Sequence, residues 1–262
     1  MSRTGLGNPE GGAPMNLWRL EWLRLVRTHR LTGLLAVFLL FGFTGPLTAR
    51  YLEDLLRRFG GGVEVRLPTP APADGMAAYV DNSQQLGLLV VVVIAAAALA
   101  FDAQRESAAF LRTRVHDIRQ LVLPKVAVNA LAAVGAFALG ALAAWYETAV
   151  LLGGLPVAET LAGIAYVAVY LAFAVALTAL AAALLRGVVG TALAALAALL
   201  LLGVVESLGI LADWLPSHLV GSLHVLARGG DPSDYLSAAT VTLGLGIVAV
   251  AAATWRLGRR DL

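Results

Sequence analysis

Two stretches separated by only two residues decide the fold: Leu161–Leu185, LAGIAYVAVYLAFAVALTALAAALL, and Val188–Ala212, VVGTALAALAALLLLGVVESLGILA. The first has no charged residue and the second has only Glu206. A helix needs about 20 mostly apolar residues to cross the ~30 Å hydrocarbon core of a bilayer. Each stretch is long enough, and Arg186-Gly187 between them leaves room only for a tight turn. The pair therefore reads as two antiparallel membrane spans. Working outward, further spans are expected at Leu31–Ala49, Leu86–Phe101, Val126–Tyr146 and Leu236–Trp255, making six. The second is only sixteen residues long and must draw on Ser83 and Gln84 or thin the bilayer locally.

Composition agrees with this reading. Of 262 residues, 59% are hydrophobic and 14% are charged, whereas soluble domains average roughly 45–50% and 25%. A soluble enzyme is therefore excluded first. There are no cysteines, so disulfides, thiolate zinc sites and cysteine nucleophiles are excluded as well. Fourteen of the 19 basic residues fall on one side when the loops are assigned alternately; only Arg50, Arg57, Arg58, Arg66 and Arg228 fall opposite. Basic residues concentrate in cytoplasmic loops, which places both termini in the cytoplasm of a plasma-membrane protein. With a net charge of +2 distributed by membrane side, nucleic-acid binding has no support.

Residues 1–14, rich in Gly and Pro and lacking an apolar h-region, read as a disordered tail, and Met15 offers an alternative start. Residues 15–262 then form one transmembrane domain. Trp18, Trp22, Leu25 and Val26 follow helical spacing with Arg24 and Arg27 on another side, which predicts an interfacial helix ahead of the first span. A juxtamembrane anchor of aromatics and arginines fits the same pattern. The outer loop, 50–85, begins as a helical extension to Phe59 and breaks at Gly60-Gly61-Gly62 and at Pro68, Pro70 and Pro72. The connection 213–235 carries Trp214, Leu219, Leu223 and Leu226 and is too apolar for a free loop; a re-entrant outer hairpin would bury it.

Known catalytic constellations are missing. The single lysine, Lys125, lies in no G-x-x-x-x-G-K-[ST] loop, so the chain has no ATP site of its own. His29, His116, His218 and His224 never approach H-E-x-x-H, and Ser222 has no histidine in the last span to activate it. No enzyme activity, metal or cofactor is expected. An ionised group inside a membrane costs at least ~2.5–3.5 kcal/mol and is the usual pointer to function there. Glu206, beside Ser207 and between Gly203 and Gly209, is the one such group in the spans and the candidate for a substrate path; a hydrated acid near the outer headgroups is the simpler reading. Asn129 is a weaker polar site. Gly135, Gly140, Gly187 and Gly190 are candidates for close helix approach.

The segment joining spans two and three, 102–125, is the most informative: D-A-Q-R-E-S-A-A-F-L-R-T-R-V-H-D-I-R-Q-L-V-L-P-K. It resembles the cytoplasmic loop of type-2 ABC exporter permeases, which carries an R-E-S-G-T-like stretch, an L-L/F-L-R-T element, a basic residue and K-[LV] opening the next span. Arg105-Glu106-Ser107 and Phe110-Leu111-Arg112-Thr113-Arg114 match, while Ala108-Ala109 replaces Gly-Thr and the proline after the L-L element is missing. The W-R-L-E-W-L-R start, the helical extension after span one, the six crossings and the terminal Arg259-Arg260-Asp261-Leu262 extend the likeness over Met15 to Leu262.

The resemblance implies an all-α permease that pairs with a second copy or a paralogue and binds two copies of a separate cytoplasmic ABC ATPase. A coupling helix in the 102–125 loop would dock on that motor, making Arg105, Glu106, Phe110, Leu111, Arg112 and Arg114 the contact candidates. Apolar walls favour a hydrophobic or amphipathic cargo such as a drug, antibiotic or lipid, moved outward. An independent secondary carrier and a non-transporting membrane scaffold or assembly factor are the alternatives.

Overall fold

The computed structural model describes residues 17–59, 69–100, 119–209 and 211–259. Among these residues all regular secondary structure is helical, with no strand. Helix α1 spans Leu17–Arg27, α2 Arg30–Phe59, α3 Pro72–Asn82, α4 Leu88–Leu99, α5 Arg119–Leu151, α6 Val157–Leu184, α7 Val188–Ser207, α8 Ser222–Leu226 and α9 Leu236–Gly258. Six helical segments are long and apolar enough to cross a membrane: Arg30–Asp54, Pro72–Leu99, Gln120–Leu151, Val157–Leu184, Val188–Ser207 and Pro232–Gly258.

Two span boundaries and the buried face of α1 depart most from the sequence expectation. The second spanning segment is 28 residues long, not sixteen, because α3 and α4 run together through a π-helical turn at Ser83–Gly87. Its start is signalled locally: Pro72 at the first turn needs no N–H partner, and Asp74 Oδ2 accepts the Ala71 backbone N–H at 2.8 Å. The span therefore needs no thinned bilayer. The fifth span, α7, stops at Ser207, because Gly209 adopts φ 74° and Leu211 φ 60°, both left-handed. Glu206 consequently sits in the last turn of α7 rather than six residues inside it. On α1, Leu25 is buried together with Glu21, whereas Trp18, Trp22 and Val26 are exposed. Leu25 thus leaves the face on which the spacing placed it. Glu21 tolerates burial because Arg24 donates to it at 3.3 Å.

Helix α6 is the central element and packs against α4, α5, α7, α8 and α9. Its interior face mixes alanines and Gly163 with Tyr170, Leu171 and Phe173, and Thr160 and Thr178 return their hydroxyls to the Pro156 and Ala174 carbonyls of the preceding turn. Polar groups away from water are satisfied this way inside one helix. One flank of the bundle, α2, α3 and α5, is joined by glycines. A Cβ at Gly42 would lie 2.5 Å from the Gly140 carbonyl oxygen, and one at Gly140 would lie 2.5 Å from that of Phe38. Phe38 and Tyr79 pack on Phe137, and the Tyr79 hydroxyl donates to the Phe137 carbonyl at 2.7 Å. Of the four glycines expected to allow close approach, only Gly140 does so; Gly135, Gly187 and Gly190 meet nothing within 4 Å. Gly187 has a different role, adopting φ 83° in the turn between α6 and α7.

The connection from α7 to α9 is a chain of short turns, 3-10 at Ala212–Trp214, Pro216–Val220 and Pro232–Tyr235, with α8 between. Leu219, Leu223 and Leu226 are fully buried. Leu223 sits over Gly163 of α6 so closely that a Cβ there would be 2.7 Å from the Leu223 Cα. The apolar composition of this connection is thereby accounted for.

Candidate functional site

Glu206 lines a groove of about 740 Å³ bounded by α4, α6, α7 and the Pro216–Val220 turn. Five pieces of local structure build it. The π-helical turn inserts an extra residue per turn and brings Gln84 and Gln85 to the wall, and such turns occur frequently at functional sites. Helix α4 contributes Leu88 and Leu89, and α7 contributes Leu196, Leu199 and Val204. Helix α6 supplies buried Tyr170, and the short turn supplies Ser217, whose hydroxyl donates to the Leu202 carbonyl at 3.3 Å. Gly203 leaves open space at the wall.

The carboxylate is not isolated. His218 Nδ1 stands 3.6 Å from Glu206 Oε1, and the two side chains are 25% and 29% exposed. The imidazole stacks on Tyr235 at 4.9 Å between centroids, and Tyr235 in turn lies 5.6 Å from Tyr166. The Tyr166 hydroxyl donates to the Pro232 carbonyl at 2.7 Å, fixing this aromatic column to the base of α9. His218 therefore has a set orientation beside the acid. Spacing alone hid the pair, because the left-handed residues at 209 and 211 fold the chain back on itself between the two positions.

The second histidine of the same segment serves elsewhere. His224 contacts the Arg228 guanidinium, which also donates to Asp74 Oδ1 at 2.9 Å and so ties the α8 region to the start of α3. Asp231, fully solvent-exposed, accepts the Ser233 backbone N–H at 2.8 Å, and that bond holds its carboxyl below the ordinary value. The Ser222 hydroxyl donates to the Leu219 carbonyl at 2.6 Å and is buried, as a structural hydroxyl would be. The Asn129 amide is likewise engaged within its helix, donating to the Lys125 carbonyl at 2.8 Å. Among the described residues, no three His, Asp or Glu side chains converge in a way that would hold a metal.

A second groove, of about 560 Å³, lies between α5, α6 and α9 and is lined by Val126, Phe173, Leu243, Ile247 and Val250 with no charged residue. It lacks the combination of apolar wall and single charge that distinguishes the Glu206 groove. Arg105, Glu106, Phe110, Leu111, Arg112 and Arg114, the motor-contact candidates, lie outside the described residues. Comparison with family models and with curated proteins returned no match.

Proposed function

We propose that the chain is the transmembrane permease subunit of an ABC exporter, working with a separate cytoplasmic ATPase and moving a hydrophobic or amphipathic molecule outward. The observation that carries the reading is the 102–125 segment, with Arg105-Glu106-Ser107 and Phe110-Leu111-Arg112-Thr113-Arg114, set between the second and third of six spanning helices. A segment with both charge signs around a Phe-Leu pair offers an apolar knob with a polar rim, which suits docking on a partner. The orientation with both termini in the cytoplasm rests on the basic-residue bias. In that orientation we assign α1, whose Trp18, Trp22 and Val26 are exposed, to the cytoplasmic interface and the 213–235 connection to a re-entrant outer hairpin. The plasma membrane is the expected location, and two copies of the chain, or one copy and a paralogue, would form the gate.

In this mechanism the motor dimer closes on ATP, the 102–125 segments move with it, and the spans exchange an inward for an outward arrangement. Differential contact of the segment with two motor states supplies the drive. The cargo path is assigned to the Glu206 groove, which combines apolar walls with convergent polar groups. The test is co-purification with P-loop ATPases encoded beside this chain. Leu111→Asp with Arg112→Glu is expected to abolish motor binding; undiminished binding would refute the docking assignment.

One observation favours a second reading. Glu206 and His218 bring a carboxyl and an imidazole together at the end of a spanning helix, a feature that proton-coupled carriers use. A carrier would move solute in sealed vesicles with a proton gradient and no nucleotide, and the exporter reading predicts no such movement.

A further inference from the structure

We infer that the groove between α4 and α7 binds lipophilic monocations, molecules with an apolar body of drug size and one positive charge, and that Glu206 is the counter-ion that selects them. The inference deepens the reading of this groove as the cargo path and rests on it for its place in transport. Binding itself stands on the groove alone. Its volume of about 740 Å³ is within the range of ligand sites. Leu88, Leu89, Leu196, Leu199 and Val204 offer an apolar wall with no complement to a second charge. Glu206 is the one formally charged residue among those lining it. An anion would be repelled at the mouth, and a neutral ligand would desolvate the carboxylate without compensating it. A cation with an apolar body satisfies both the wall and the acid. The carboxamides of Gln84 and Gln85 are dipoles that accept a cation without adding charge.

His218 sharpens the inference. Its Nδ1 stands 3.6 Å from Glu206 Oε1, so any permanent positive charge placed at position 218 would compete with the ligand for the same carboxylate. Charge at that position, rather than its shape, should therefore govern affinity.

The test measures binding of tetraphenylphosphonium to the full-length chain in lipid nanodiscs, with isosteric tetraphenylborate as the anionic control and empty nanodiscs subtracted. No motor is present, so failure of ATPase docking leaves this result unaffected, and failure here leaves docking unaffected. Saturable phosphonium binding is expected, about tenfold weaker in Glu206→Gln and weakened to a similar degree in His218→Lys. Borate should gain, not lose, in Glu206→Gln. Gly203→Leu, at a position where an added Cβ meets nothing within 4 Å, should fill the groove and weaken phosphonium binding without unfolding the helix. Unchanged phosphonium affinity in Glu206→Gln, or equal saturable binding of the two ions, would overturn the inference. So would a disulfide between copies of the Leu200→Cys chain in native membranes, because the groove would then be covered by a second copy. The cysteine-free sequence makes that cross-link unambiguous.

Discussion

Helices α6 and α7 are almost equally apolar and are joined by a single tight turn, yet 67% of the most apolar stretch of α6 is buried, against 22% for α7. What separates them is the number of neighbouring helices rather than hydropathy. Helix α6 buries Tyr170, Leu171 and Phe173 together with Gly163, Ala174, Ala179 and Ala183 against five other helices. Helix α7 buries only Thr191, Ala192, Ala195 and Leu199, one narrow stripe, and turns Leu193, Leu200 and Leu201 outward. In water such a large exposed apolar surface would drive collapse; among lipid tails it carries little cost, so hydropathy alone does not decide which helix is central. The helix with least support borders the groove that carries Glu206. An element held by one stripe is also the one best able to change position.

Four substitutions test the difference, from the largest effect to the smallest. Gly163→Leu drives a side chain into the Leu223 backbone, and we expect it to destabilise the fold by at least ~3 kcal/mol, read as loss of monodisperse material or a collapsed unfolding midpoint in detergent. Leu223→Ala empties the same contact from the other side. With Leu223 fully buried, the expected cost is about 3 kcal/mol, measured by denaturant titration. Arg228→Ala breaks the exposed bond to Asp74 and should cost less than about 1 kcal/mol, an effect that shrinks further in high salt. Gly203→Leu on α7 should change stability by no more than about 0.5 kcal/mol, because open space receives the side chain. If Gly203→Leu proved as damaging as Gly163→Leu, the contrast between the two helices would collapse.

The spanning count was legible because each segment is a long run with few charges, and in a bilayer that pattern has one solution. Boundaries were harder to read where polar residues belong to a helix. Asp74, Asp81, Ser83, Gln84 and Gln85 make residues 72–85 look like a loop, although Pro72 with Asp74 is a helix-start signature. On α1 the tryptophan spacing marks the exposed side of an amphipathic helix, and the face that packs on α5 is that of Leu25 and Glu21. Glu206 stood out in the sequence as a charge inside a span. Its partner did not, because a contact made through two left-handed residues leaves no periodic signal. The glycines behaved likewise, since Gly140 and Gly135 look alike in sequence and only the approach of α2 separates them.

The proposed function makes this chain a gate driven by another protein's ATP hydrolysis. The direct measurement is solute flux in sealed proteoliposomes containing the chain alone, or the chain with its partner ATPase, with and without ATP. Flux only when motor and ATP are both present is the predicted result. Steady flux by the chain alone, driven by an ion gradient and indifferent to nucleotide, would contradict it.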